Sequence, residues 1–290
     1  MTLESIDSRL HLVGEYILNT PLRISTPGDG LVLDSAGNPL IPASTFRGAL
    51  RTFIEAVLRG LQTAQHDTLQ IITVRGPEGR SIQQQRTVRL CCDSVDKNDT
   101  DAYYQGCLTR AIVTKWEADP ILRPKFDQTI AQCTCTVCRL FGTPWLAGRV
   151  QIPDLTSLGK WDGKIETRAG IQIDRETETQ IAGSRYEYRA VPAGSRFAFQ
   201  LSLNNVSEVE QGMILIGIRA FQQGIIRLGS RRSAGLGAGY LQLDWAKCRQ
   251  IDADHLIQAL LNHDLFPFTE ADLDARIAAL DAFLKAGPKA

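Results

Sequence analysis

Two amphipathic helices, each tied to strands of alternating residues and far apart in the chain, constrain this sequence more than any other feature. Leu10, Leu12, Tyr16 and Leu18 share one side at period two, the pattern of a half-buried strand. From Ser44 onward, Phe46, Ala49, Leu50, Phe53, Ile54, Val57 and Leu58 recur at helical spacing, with Ser44 or Thr45 as the expected N-cap and Gly60 as the stop. The pattern then repeats. Phe197, Phe199, Leu201 and Leu203 alternate with Arg196, Ala198, Gln200 and Ser202. Ser207 with Glu210 forms a capping-box signature that opens a helix carrying Val209, Met213, Ile214, Ile216, Ala220 and Phe221, closed near Gly224. Tyr240, Leu241 and Leu243 suggest a further strand. Helices separated by strands in this order predict an α+β fold with an antiparallel sheet, and argue against a doubly wound parallel one.

Between these elements the signals are weaker. A loop rich in Gly, Pro, Asp and Ser runs over residues 20–42. Residues 61–145 lack clear periodicity but are too many for a bare loop, so they read as an insertion. Residues 150–154 suit a short strand, and residues 166–190 form a polar, charge-rich arm. The tail offers helical segments at about 252–262 and 269–285. With 290 residues, 43% of them hydrophobic, one sizeable core is within reach. Lys+Arg and Asp+Glu are both 32, a balance that argues against wholesale coating by nucleic acid but allows a local basic face. The polar start and the absence of a long apolar run predict a cytoplasmic protein with no membrane partner.

Four groups of residues carry candidate chemistry. In the segment Ile41 to Arg51, a turn feeds a helix N-terminus; Ser44 and Thr45 add hydroxyls, and Arg47 and Arg51 put two guanidinium groups on one face. This suits a phosphate backbone, while the plain alternative is an ordinary capped helix with solvated arginines. In the loop Leu228 to Gly239, Gly229, Gly235, Gly237 and Gly239 would allow close approach of a ligand, and Arg231, Arg232 and Ser233 could bind phosphates. The loop is neither a dinucleotide fingerprint nor a Walker motif.

Six of the seven cysteines lie between Cys91 and Cys138, a clustering that points to metal in a chain expected to be cytosolic. Cys135 and Cys138 have the C-x-x-C spacing of a tetrahedral zinc site, and Cys92 and Cys107 are the expected partners, with Cys91 and Cys133 as substitutes. Buried free thiols are the alternative. Asp29, between Gly28 and Gly30, could align a ribose hydroxyl or hold a divalent ion such as Mg2+; it could equally be a turn aspartate. The histidines are scattered, and no G-x-S-x-G elbow occurs.

Taken together, five segments resemble the RAMP superfamily, in the family's order. They are Ile41 to Arg51, Cys135 to Gly142 (C-x-x-C-R-L-F-G), Ala147 to Asp154, Thr167 to Arg175, and Leu228 to Gly237. The match is strongest to zinc-containing backbone subunits of type III CRISPR effector complexes, subtypes III-D and III-E. The resemblance implies a ferredoxin-like (RRM-like) core over residues 1–250, a zinc-binding insertion at about 61–145, a β-hairpin thumb at about 168–188, and a helical C-terminal extension over 251–290. It also implies that CRISPR guide RNA and target single-stranded RNA are the ligands, with Arg168 and Arg175 joining the RNA-binding set. Subunits of this kind stack head to tail with other effector subunits. Active members cleave target RNA at six-nucleotide spacing with a loop aspartate and a divalent metal, here Asp29, with Asp34 as the fallback. Arg47 stands where the family has lysine. The other readings are an inactive scaffold subunit of the same complex, a precursor guide-RNA processing endonuclease, and an interaction module without RNA.

Overall fold

A computed structural model of the chain describes residues 7–24, 31–61, 68–75, 80–92, 108, 110–159, 161–170, 176, 179, 186–255, 257, 261 and 266–286. In chain order the elements are β1 (Ser8–Leu18), β2 (Leu40–Ile41), α1 (Ala43–Leu61), β3 (Thr68–Arg75), β4 (Ser81–Val88), α2 (Arg110–Glu117), α3 (Phe126–Cys133) and α4 (Thr136–Phe141). They continue with β5 (Val150–Gln151), β6 (Leu155–Thr156), β7 (Glu166–Gly170), β8 (Tyr186–Ala190), β9 (Arg196–Asn204) and α5 (Glu208–Gln222). The last are β10 (Gly239–Leu243), β11 (Arg249–Asp252), β12 (Phe266–Pro267) and α6 (Glu270–Ala286).

The central sheet is antiparallel and is organised by β1. On one edge β1 pairs with β9 from Arg9↔Asn204 to Ile17↔Arg196, and β9 pairs with the short β5. On the other edge β1 changes partner along its length: Ser8 to His11 face β11, and Gly14 to Leu18 face β10. Gly14 sits where that second partner begins. A Cβ there would lie 2.3 Å from the Gln242 carbonyl oxygen, so only glycine lets the strands meet. The strand order β10–β1–β9–β5, with α1 following β1 and α5 following β9, is fully antiparallel.

Period two on β1 and β9 sends Leu10, Leu12, Tyr16, Leu18, Phe197, Phe199, Leu201 and Leu203 to one face, where all are buried. Helices α1 and α5 cover that face with Phe46, Leu50, Ile54 and Leu58 from the first and Met213, Ile214, Ile218 and Phe221 from the second. The Phe46 and Phe221 rings stack with centroids 4.1 Å apart, and Tyr16 meets both edge-on. Burial of each such ring contributes about 1.5–3 kcal/mol. Helix α6 lies on α5, where Gly212 allows the Arg276 carbonyl to approach. Arg219 bonds Glu270 and Asp274 of α6, and Arg276 bonds Glu208. The tail helix expected at 269–285 is therefore present and packed. The segment expected to be helical near 252–262 begins as strand and a 3-10 turn over Arg249 to His255, and much of the rest lies outside the described residues.

One expectation about local structure needs correction. The capping box of α5 is present with both of its hydrogen bonds, but neither Ser44 nor Thr45 caps α1. That helix starts at Ala43, whose N–H donates to Asp154 Oδ1 at 2.7 Å. A long-range carboxylate satisfies the first-turn donor, a contribution of about 1 kcal/mol that no local pattern announces. The insertion, which shows no clear periodicity in sequence, nonetheless has a core of its own. Ile72, Val74, Leu108, Val113, Trp116, Leu122, Ile130, Cys133 and Leu146 form a separate buried cluster beneath the β3–β4 hairpin. Its elements are short, so each shows only one or two turns of its period.

Candidate nucleic-acid interface and metal centre

The cysteine cluster resolves into two kinds of thiol. Cys135 occupies the N-cap of α4, and its sulfur accepts from the Cys138 N–H at 3.4 Å. Val137 N–H donates to the Leu90 carbonyl, which draws the 90–92 segment against this turn. The ligand atoms of Cys92, Cys135 and Cys138 all lie within 4.8 Å of one another, and the Cys92 and Cys138 sulfurs are 3.8 Å apart. Two thiolates on a tetrahedral zinc, at about 2.3 Å each, stand about 3.8 Å apart, so the triad fits such an ion. Arg51 reaches Cys138 Sγ with Nη2 at 3.4 Å. Cys91 is not part of this triad; it is buried in the core cluster, and burial pushes its thiol up to about 11. Cys133 packs in the insertion cluster. Cys107, the expected fourth ligand, lies outside the described residues. The three cysteines could hold a metal such as zinc, whose contribution would be structural: it would cross-link the insertion to the core.

Helix α1 divides its candidate residues between two faces. On one, Arg47 and Arg51 lie over the Phe141 ring at 5.9 and 6.0 Å. Arg51 is engaged internally, since its Nε bonds Glu55 at 2.7 Å in addition to the Cys138 contact. Arg47 is half-buried, its Nε is shielded from solvent, and no acidic partner meets it among the described residues. Burial first, and Arg51 second, lower its affinity for the proton, yet a guanidinium stays charged. Arg47 and Ser44 border a cavity of about 520 Å³ with His11, Gln200 and Ser202, where a His11 Nδ1–Ser202 Oγ contact of 2.9 Å is formed. His11, one of the scattered histidines, thus lines this cavity.

On the other face, Thr45, Gly48, Ala49, Thr52 and Phe53 line a groove of about 760 Å³. Its opposite wall is the glycine-rich loop and its neighbours, with Arg23, Arg227, Ser230 and Arg232. Arg227 donates to the Arg232 carbonyl, which braces the loop. The groove thus combines three guanidinium groups, hydroxyls and a bare stretch of helix at Gly48, where a Cβ would meet nothing within 4 Å. Such a surface can follow a phosphate backbone. Thr45 and Arg232 were expected in an anion site. Gly48 and Ser230 lie within the two segments but were not singled out, and Arg23 and Arg227 lie outside both, with only their closeness in sequence as a clue.

The glycines of the loop have a different use from the expected one. A Cβ at Gly229 would lie 2.4 Å from the Arg23 carbonyl oxygen, and one at Gly237 would lie 1.8 Å from that of Leu228. They admit the protein's own backbone, not a ligand. Gly235 alone among the four has open space around it. Arg231 leaves the groove and bonds Tyr186, while Ser233 is exposed. Arg168 on β7 pairs with Glu166 at 2.6 Å. In the region expected to form a thumb, β7 and β8 pair from Glu166↔Ala190 to Gly170↔Tyr186. Arg175 and Asp29 lie outside the described residues. Asp34 does not: its Oδ1 accepts from the Ala36 and Asn38 N–H groups at 2.9 and 2.8 Å. These bonds, the Asn38 N–H foremost, hold its exposed carboxyl below the usual range, so Asp34 closes its own turn.

The chain is thus an α+β protein with an antiparallel sheet, a cysteine triad that could hold a metal, and a groove lined by three arginines beside a glycine-rich loop. The chain belongs to the RAMP superfamily, whose family model matches residues 18–240. Members of this family typically act in CRISPR complexes with RNA, and membership is consistent with a CRISPR-associated subunit. None of the curated proteins matches the chain in sequence. Among the described residues no helix is long and apolar enough to cross a membrane.

Proposed function

We propose that this protein is a guide-RNA-binding backbone subunit of a type III CRISPR effector complex, acting in the cytoplasm. The observation that carries the reading is the groove between α1 and the glycine-rich loop, where Arg23, Arg227 and Arg232 converge on a helix face left bare at Gly48. In a chain with no net charge, this groove is lined by three arginines and by no acidic residue among the described ones, which suits backbone contacts. A ferredoxin-like core over residues 1–250 is supported by the strand order β10–β1–β9–β5 and by the helices after β1 and β9. Residues 251–290 then form an extension. Head-to-tail stacking on like subunits follows from the family resemblance.

Gly48→Glu tests the groove. The change suits a helix, since glycine costs about 1 kcal/mol in a helix interior, and the new side chain meets no neighbour at Cβ. The variant is expected to fold and melt as the parent does, and to bind single-stranded RNA at least about tenfold more weakly, because a carboxylate then sits among the phosphates. Unchanged RNA affinity would remove the groove from the account.

Cleavage of target RNA is the second part of the proposal. The resemblance assigns it to Asp29 with Mg2+ or another divalent ion, and the engagement of Asp34 in its own turn leaves Asp29 as the loop's candidate. Asp29→Ala is expected to stop divalent-dependent cutting of target RNA by the assembled complex and to leave target binding intact. A complex that still cuts at this subunit's position would show that Asp29 is not the catalytic residue; Asp34→Ala is then the next test, and cutting intact there too would leave the subunit a scaffold.

A further inference from the structure

The hairpin base carries a second arrangement, which shares only Arg23 with the groove. Tyr186 and Tyr188 are two apart on β8, so both rings project from the same face; they lie 6.4 Å apart with planes 28° from parallel. Tyr188 is buried against Ala190 and Leu236 and forms the floor. Tyr186 is 40% exposed. Its cross-strand partner is Gly170, and a Cβ there would lie 2.3 Å from the Tyr186 Cζ, so the phenol end of the ring rests against Gly170. One side of that ring is thereby supported. On the pair lies the guanidinium of Arg231, 4.5 Å from the Tyr186 centroid and 4.6 Å from that of Tyr188, with Nη1 donating to the Tyr186 hydroxyl at 2.8 Å. Arg23 lies over Tyr188 at 5.3 Å.

We propose that the Tyr186–Tyr188 face is a stacking platform for one unpaired RNA base, covered in the free protein by the planar guanidinium of Arg231. The inference rests on the RNA-binding reading above and adds to it the part of the RNA that is bound and the residue that holds it. A guanidinium stacks on an aromatic face as a base does, so the two occupants are interchangeable in shape. Arg231 is held in a left-handed conformation, φ +56°, that disfavours any residue with a Cβ. It gives up its ring contacts for a charge-assisted bond to the phosphate of the incoming nucleotide, and the base takes its place on Tyr186. Exposed aromatic rings interleaved with arginines are the usual furniture of single-strand binding, and stacking carries little preference for base identity.

A double-mutant cycle tests the platform, using a short single-stranded RNA and an abasic RNA of the same length, each titrated by fluorescence anisotropy. The intact RNA is expected to bind Tyr186→Ala about tenfold more weakly than the parent, and the abasic RNA to bind both equally. Tyr186→Phe keeps the ring and loses only the bond to Arg231, so it should bind at least as tightly as the parent. Removing the ring removes no charge, and the salt dependence should stay the same in all three proteins. If Tyr186→Ala weakens both RNAs equally, or neither, while salt-dependent binding persists, the platform is overturned and the groove reading survives. If the parent shows no salt-dependent binding to either RNA, the underlying reading fails and the platform fails with it.

Discussion

Stripping the metal, or replacing Cys138 with serine, is expected to lower the folding stability by more than about 4 kcal/mol, a loss of the size reserved for removal of a structural metal. Cys138 is fully buried, its sulfur is 3.8 Å from that of Cys92, and its N–H is bonded to the sulfur of Cys135. A tetrahedral ion would join the 90–92 segment to α4, and α4 in turn is tied to α5 because Arg139 bonds Glu210 at 3.3 Å. Glu210 is also the acid of the α5 capping box, so α4 is tied to the start of a core helix. Elemental analysis should find about one zinc per chain. Hydrogen exchange should then show the loss concentrated in the insertion and α4, with β1 and β9 still protected. A chelated protein that melts at the parent temperature would mean that the three cysteines are packed thiols. Acid should release the metal as well, because protons compete for the thiolates.

The parts of this fold that the sequence makes legible are those in which one element carries its own signal over several periods. β1 and β9 alternate cleanly, α1 repeats its apolar face through Phe46, Leu50, Ile54 and Leu58, and Ser207 with Glu210 marks the start of α5. The β3–β4 hairpin escaped because β4 reads Ser-Ile-Gln-Gln-Gln-Arg-Thr-Val and shows little alternation. Its stability comes from packing on α2 and α3, which no local window contains. The C-x-x-C pair was legible by spacing. The preference for Cys92 over its neighbour Cys91 depends on which side of an extended segment faces α4, and only the fold decides that. The α1 cap was misread because Asp154 is distant in sequence. The glycine-rich loop was legible as a special backbone but not as one folded onto itself at Arg23 and Leu228. Arg23 and Arg227 had no motif of their own, and they enter the groove only because the loop brings them there.

The central claim is that charge in this groove holds an RNA backbone, and its most direct measurement is the salt dependence of RNA binding by the Arg227→Gln/Arg232→Gln double variant. Glutamine keeps much of the length and some hydrogen-bond donors, so the brace from Arg227 to the Arg232 carbonyl can persist while two charges are lost. Anisotropy titrations with single-stranded RNA at several salt concentrations give both affinity and slope. Each phosphate contact on a single strand contributes about 0.7 to the slope of log K against log salt. The account predicts that the double variant binds about 10–100-fold more weakly at low salt, with a slope shallower by about 1.4, and that base sequence makes little difference. A double variant that matches the parent in both affinity and slope would contradict it.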